Sequence, residues 1–192
     1  MHRPPSRGAQ LALFAANFVK HPVMLGSFIP SSRFLIARLL RHVDFARAHV
    51  IVEYGPGVGT FTREILAGMR ADAMLVVLET NPDFVRFLRE TVRDPRLRIV
   101  HGSAADVEGA LAREGARAAD YVISGIPFST LPPQVREAVL AATRRVLGQE
   151  GAFLVYQFSP QVQQHLRRFF QRVQRSFEPL NVLPAQVFCC TA

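Results

Sequence analysis

Glu53 and the three glycines at alternate positions after it, Gly55, Gly57 and Gly59, are the residues around which chemistry can be built in this chain. Glycine carries no Cβ, so it takes left-handed dihedrals and lets a ligand approach the main chain. An acid just before such a turn suits a ligand bearing an ammonium group and would repel a pyrophosphate. The dinucleotide fingerprint G-x-G-x-x-G has a different spacing, and Thr60 stands where its third glycine would fall. A second acid, Glu79, followed by Thr80, closes another apolar run, where a carboxylate can accept hydrogen bonds from both hydroxyls of a ribose. The plain alternatives are a glycine turn with no ligand and a surface acid capping the next helix.

Several elements must position these groups. The β-branched run His49–Val52 leads into Glu53 as a buried strand, and Thr60 onward starts a helix. Ala73 to Glu79 is a second continuous apolar strand; hydrophobicity without alternation suits a parallel sheet covered on both faces. Asn81 to Val92 reads as a helix with Pro82 in its first turn, a favoured place for proline. Leu97 to Val100, Asp120 to Ser124 and Ala152 to Phe158 read as further strands, with helices to about Gly115 and over Pro133 to Leu147 between them. A helix is expected from Gln161 to Arg175, with Val162, Leu166, Phe169, Phe170 and Val173 on its apolar side. Two strands joined near Leu183-Pro184 close the chain, and so short a connection requires them to be antiparallel. Before the first strand, Arg33 to Val43 reads as a helix that Ser31 or Ser32 can cap. Gln10 to Lys20 is an amphipathic helix with Leu11, Phe14, Ala15 and Phe18 on one side, ended at His21-Pro22. The expected architecture is an α/β Rossmann-like sandwich: a mostly parallel seven-stranded sheet with a C-terminal antiparallel pair. Residues 1–28 form a leader and amphipathic helix, and residues 29–192 the main domain. Ligands of such sheets sit beyond the carboxyl ends of the strands.

The 192 residues carry a net charge of +8, almost wholly from arginine, because Lys20 is the only lysine. Basic balance favours nucleic acid, anionic lipid or phosphate-bearing partners and says nothing about fold. Residues 1 to 47 hold seven Lys or Arg against one acid, Asp44. Cys189 and Cys190 are adjacent, so on a strand they face opposite ways and suit neither a structural disulfide nor a metal site. No apolar run approaches the ~20 residues needed to cross a bilayer. Leu11 to Val19 imitates a signal peptide, but Asn17 and Lys20 interrupt the segment and no small-residue cleavage site follows. The expected location is cytoplasmic, at the inner face of the membrane.

Glu53-x-Gly55-x-Gly57-x-Gly59 resembles motif I of class I methyltransferases, whose donor S-adenosylmethionine has the ammonium that Glu53 suits. Gly102-Ser103-Ala104 falls where those enzymes usually have Gly-Asp-Ala, so Ser103 and Ala104 are expected at the adenine. Ser124-Gly125-Ile126-Pro127-Phe128 falls where amino-methyltransferases keep the motif facing the substrate nitrogen; adenine N6 enzymes carry Asn or Asp there. Ser124, Gly125, Phe128 and Tyr156 are therefore the candidates for the catalytic side. His21, His101, His165 and Tyr156 are the candidates to take the amine proton. Over nearly its whole length the chain resembles the bacterial phospholipid N-methyltransferases. The resemblance rests on Gly26 to Ser32, motif I, Ser124 to Pro127, Gln157-Phe158 and Asn181-Val182-Leu183-Pro184-Ala185. Tyr54 and Val58 in motif I, and Val182-Leu183 near the end, depart from the family pattern. The resemblance implies conversion of phosphatidylethanolamine toward phosphatidylcholine. It also implies donor contacts from Ser31, Ser32, Glu53, Gly55, Gly57, Gly59, Glu79, Thr80, Ser103, Ala104 and Ser124, and adhesion to an anionic membrane through the first helix.

Three rivals share these features. An RNA adenine dimethylase would use the same motif I and charge, but this chain lacks the Asn that such enzymes carry at the fourth strand, and no helical run follows the last strands. A non-catalytic adaptor would have no use for Glu53, Gly55, Gly57, Gly59 and Glu79 together. An ornithine lipid is the third possibility, as a different amino-lipid acceptor.

Overall fold

The computed structural model describes residues 31–192. The expected helix over Gln10–Lys20, His21, the loop before Ser31 and the boundary at residue 28 lie outside the described residues. The elements, in chain order, are α1 (Arg33–Leu40), β1 (Val50–Tyr54), α2 (Thr60–Gly68), β2 (Met74–Glu79), α3 (Pro82–Thr91), β3 (Leu97–His101), α4 (Val107–Arg113), β4 (Ala119–Ser124), α5 (Pro133–Val146), β5 (Leu147–Gln157), α6 (Val162–Phe169), β6 (Arg172–Glu178) and β7 (Ala185–Thr191). Short 3₁₀ turns precede α4 and follow β4.

The strands form one sheet in the order β3-β2-β1-β4-β5-β7-β6. The first five are parallel, and β7 runs antiparallel to both β5 and β6. β1 is central because its residues are apolar on both faces. Val52 and Tyr54 join the layer under α4, α5 and α6, and Ile51 joins the layer under α1 and α2. β2 divides in the same way, with Val76 and Leu78 on one side and Leu75 and Val77 on the other. Burial on both faces is why these strands read as unbroken apolar runs. Cys190 lies in the first layer and Cys189 packs on the second, opposite ways as alternation requires.

Local signals set the helix starts. The Ser32 hydroxyl accepts from the Leu35 amide at 3.2 Å, capping α1, and the Asn81 side chain accepts from the Asp83 amide at 2.9 Å before Pro82 opens α3. Such caps are worth about 1 kcal/mol each.

Three elements differ from expectation. α1 stops at Leu40 instead of Val43. β5 begins at Leu147, directly after α5, and a register irregularity opposite Ala119 and Tyr121 accommodates its early start. The largest difference is the helix expected to reach Arg175, because α6 ends at Phe169. Phe170 is extended (φ −123°, ψ 136°) and buries its ring 5.6 Å from Phe153. From Arg172 the chain pairs along the whole of β7, so cross-strand hydrogen bonds and the Phe170 contact override helical periodicity. Arg167 and Arg168 are thus on α6 while Arg172 and Arg175 are on β6, and the four share no helix face.

Candidate functional site

The carboxyl ends of β1, β2, β3 and β4 surround a cavity of about 310 Å³. Gly55 and Gly57 line it from the turn after β1, Glu79 and Thr80 from β2, Ser103 and Ala104 from β3, and Gly125, Ile126 and Pro127 from β4. Phe84, Leu131, Val135 and Val139 complete apolar walls.

The turn after β1 needs its glycines for two different reasons. Gly55 (φ 65°) and Gly57 (φ 56°) hold left-handed dihedrals at the cavity surface. A Cβ on Gly55 would stand 3.3 Å from the Ile126 side chain, closing the gap between the β1 and β4 turns. Gly59 (φ 77°) does not line the cavity; a Cβ there would lie 2.6 Å from Leu88, so it permits α2 and α3 to pack. Arg63 steadies the turn by donating to the carbonyls of Val58 (2.7 Å) and Gly59 (2.9 Å).

Glu79 is buried, and burial raises its carboxyl above the ordinary range against the pull of backbone amides. Its two oxygens accept from the amides of Gly57 (3.2 Å) and Asn81 (2.9 Å). Glu53 is buried as well but is not in the cavity wall. Its Oε2 accepts from the Thr62 hydroxyl at 2.6 Å. Burial, opposed by that hydrogen bond and reinforced by the charge of Glu79, pushes it up to about 8. Ser103 lines the cavity while its hydroxyl accepts from the Ala105 amide at 3.2 Å. The Thr80 carbonyl is held by His101 Nε2 at 3.1 Å.

On the β4 side, Ser124 is fully buried, and its hydroxyl accepts from the Ile126 amide at 3.2 Å, bracing the turn. Phe128 is likewise fully buried, edge-on to Phe153. Only Gly125 of these three lines the cavity. A Cβ on it would come within 2.6 Å of the Tyr156 hydroxyl. Tyr156 stacks on Phe61 at 5.2 Å, and burial raises its phenol against a hydrogen bond with Ser31. Ser32 is turned away, donating its amide to Asn181 Oδ1 (2.8 Å) and its hydroxyl to the Leu180 carbonyl (2.6 Å). His165 sits on α6 near Arg136 and Arg168, and burial lowers its pKa.

Sequence reasoning counts Gln157 toward the family resemblance but gives it no role in the site; its amide clamps the turn. Its Oε1 accepts from the Phe128 amide (3.0 Å), and its Nε2 donates to the carbonyls of Ile126 (2.7 Å) and Tyr156 (2.6 Å). A buried glutamine at the end of an apolar strand was the available signal. Val135 and Val139 were also missed, although their i, i+4 spacing after Pro132-Pro133 places them on one helix face.

Two left-handed glycines at the wall and a buried acid beside them fit a nucleoside with free ribose hydroxyls, and the apolar walls fit its base. With the 3-2-1-4-5-7-6 sheet and its reversed strand, they define a class I S-adenosylmethionine-dependent methyltransferase. The model of the ribosomal RNA adenine dimethylase family matches residues 22–117. An ornithine lipid N-methyltransferase of Singulisphaera acidiphila is 34% identical over 180 residues, covering 93% of this chain and 94% of that one. Among solved structures, precorrin-6y C5,15-methyltransferase from Geobacter metallireducens is similar with a TM-score of 0.64 at 15% identity, over 82% of this chain and 88% of that one. The 1,6-didemethyltoxoflavin-N1-methyltransferase of Burkholderia thailandensis, solved with S-adenosylhomocysteine, gives 0.63 at 17% identity, over 100% and 93%. The chain belongs to the ribosomal RNA adenine dimethylase family of class I methyltransferases; it is an N-methyltransferase, and S-adenosylmethionine is its cofactor.

Proposed function

We propose that the protein N-methylates the head-group amine of an amino-lipid at a membrane surface. The observation that carries this reading is the β4 turn on the acceptor side of the cavity: Gly125, Ile126 and Pro127 offer apolar surface, with no Asn or Asp there. Such a wall suits an amine at the head of an apolar molecule better than a base read by its edges. The relative from Singulisphaera acidiphila, an ornithine lipid N-methyltransferase by name, supports an ornithine lipid as acceptor beside phosphatidylethanolamine. The family-model match to ribosomal RNA adenine dimethylases supports the rival, an adenine amine in RNA.

S-adenosylmethionine, when bound, supplies a methyl group already activated by its sulfonium. The protein's part is placement and exclusion of water. Glu79 would hold the ribose hydroxyls, Gly55 and Gly57 would admit the donor's tail, and Ser103 and Ala104 would meet the base. Glu53 would act from behind the turn, giving up its proton to carry a charge opposite the donor's ammonium. Gly125 presents bare backbone to the cavity and packs against the Tyr156 hydroxyl, which would orient the amine from behind that turn. Residues 1–28 would form a separate lipid-contacting segment ahead of the methyltransferase domain, keeping the protein at the inner face of the membrane. Among the described residues no helix is long and apolar enough to cross it.

The test uses purified protein with labelled donor and three acceptors: liposomes containing phosphatidylethanolamine, liposomes containing ornithine lipid, and ribosomal RNA. Transfer to either lipid is the expected result, faster with anionic lipid present. Label in RNA and none in lipid would reverse the reading.

A further inference from the structure

Among the described residues, six large apolar side chains are exposed: Phe34, Val135, Phe177, Leu180, Val182 and Leu183. Scattered apolar side chains on a surface need no explanation, but a grouped set does. All six lie along the carboxyl edge of the sheet. Val135 lines the cavity. Phe177 pairs with Gln186, which in turn pairs with Gln157 at the end of β5. Phe34 is two residues from Ser32, which is hydrogen-bonded to the β6–β7 loop. The most exposed are Val182 at 71% and Leu180 at 59%, both on that loop.

The loop, Pro179 to Pro184, has no charged residue, and several of its polar groups are paired within the protein. The Leu180 amide donates to Glu178 Oε1 at 2.9 Å, and the Leu180 carbonyl accepts from the Ser32 hydroxyl. The Asn181 side chain accepts from the Ser32 amide and donates to the Leu183 carbonyl at 2.9 Å. Glu178 is itself paired with Arg38 at 2.6 Å. Entering hydrocarbon is costly for an unsatisfied backbone group, and here the Leu180 amide and the carbonyls of Leu180 and Leu183 are already occupied. The two elements that hold the loop, α1 and β6, carry four arginines and one glutamate. Arg33 stacks its guanidinium 4.8 Å above the Phe34 ring, an arrangement suited to an interface where one side is apolar and the other anionic.

We infer that the β6–β7 loop inserts into a bilayer containing anionic lipid and brings the cavity mouth to the surface. The inference rests on the amino-lipid reading for its purpose, but the contact is measured separately from transfer. Removing Leu180 and Val182 from the contact with charges should weaken vesicle binding by about tenfold or more, given what burial of one such side chain contributes.

The experiment uses the full chain and phosphatidylcholine vesicles with and without phosphatidylglycerol. The chain has no tryptophan, so Val182→Trp gives a single reporter. Its emission should shift to the blue on anionic vesicles and be quenched by lipids brominated on the acyl chains. Leu180→Asp/Val182→Asp should lose co-sedimentation while keeping its affinity for S-adenosylhomocysteine by calorimetry, which shows that the site remains folded. An unshifted reporter, or a double variant that pellets as well as the parent, overturns the inference. So does a parent that elutes as a dimer and becomes a monomer with the double variant while vesicle binding is unchanged, because the patch would then join two copies. Vesicle binding through the loop without methyl transfer to lipid would sink the acceptor assignment alone.

Discussion

The amide of Gly57 donates to Glu79 Oε2 at 3.2 Å, tying the turn after the first strand to the tip of the second. The residue placed to meet the ribose thereby also fixes the glycine turn. Glu79→Ala should weaken S-adenosylhomocysteine binding by about ten- to a hundredfold, since hydrogen bonds to a charged group contribute roughly 1.5–3 kcal/mol. Glu79→Gln, which still accepts from Gly57, should fall between. Calorimetry on both variants reads the difference, and equal affinity for Glu79→Ala and parent would remove it from the site.

Glu53 makes stability depend on pH. Its folded pKa, about 8, lies above the ordinary 4.5 because burial disfavours the anion. The folded state therefore holds the proton over a range where the unfolded chain has released it. Stability from this group is complete below about pH 4.5 and declines as pH rises toward about 8. Glu53→Gln, neutral throughout, should flatten the decline of Tm with pH over that window. Melting curves at several pH values decide it, and parallel profiles for parent and variant would show that Glu53 is already ionised in the fold.

Gln157 holds three backbone groups around Ile126 and Phe128. Gln157→Ala leaves them unpaired, at about 1–3 kcal/mol for a buried group. The expected result is a lower kcat with unchanged affinity for S-adenosylhomocysteine, because the turn faces the acceptor and not the donor. A variant that loses donor affinity in proportion would count Gln157 as general scaffold.

Gly125→Ala places a Cβ about 2.6 Å from the Tyr156 hydroxyl. Overpacking of this kind costs about 1–3 kcal/mol. Pairing it with Tyr156→Phe removes the clashing oxygen, so the double variant should recover Tm but not methyl transfer. Recovery of both would deny the phenol any part in orienting the amine.

Deleting residues 1 to 20 should reduce liposome co-sedimentation, in addition to whatever the β6–β7 loop contributes. A pellet as large as the parent's would leave the loop as the contact that matters.

The strands of the parallel core were readable because they are apolar on both faces, and β1, β2 and β4 end at a glycine, an acid and a serine. The β6 edge was not, because its Arg172, Gln174 and Arg175 carry no burial signal and the helical spacing of Val162, Leu166 and Phe169 runs straight into Phe170 and Val173. Pairing with β7 decided the matter, and the helical spacing within one segment does not report the strand that will pair with it. Glu79, Gly55 and Gly57 were legible by type and spacing. Ser124, Ser32 and Phe128 were legible as motif members, but their side chains are spent on turns and core. Spacing cannot tell a residue that faces the ligand from one that supports its neighbour.

Gly59 carries a lesson for comparing related chains. It completes the signature after Glu53, yet the space it keeps open belongs to Leu88. A bulkier residue there would pry apart two helices, and any fall in donor affinity would be secondhand. A smaller residue at 88 would relieve that contact yet leave the left-handed backbone at 59 (φ 77°) asking for glycine, so this member of the signature marks a fold requirement twice over and a ligand contact not at all.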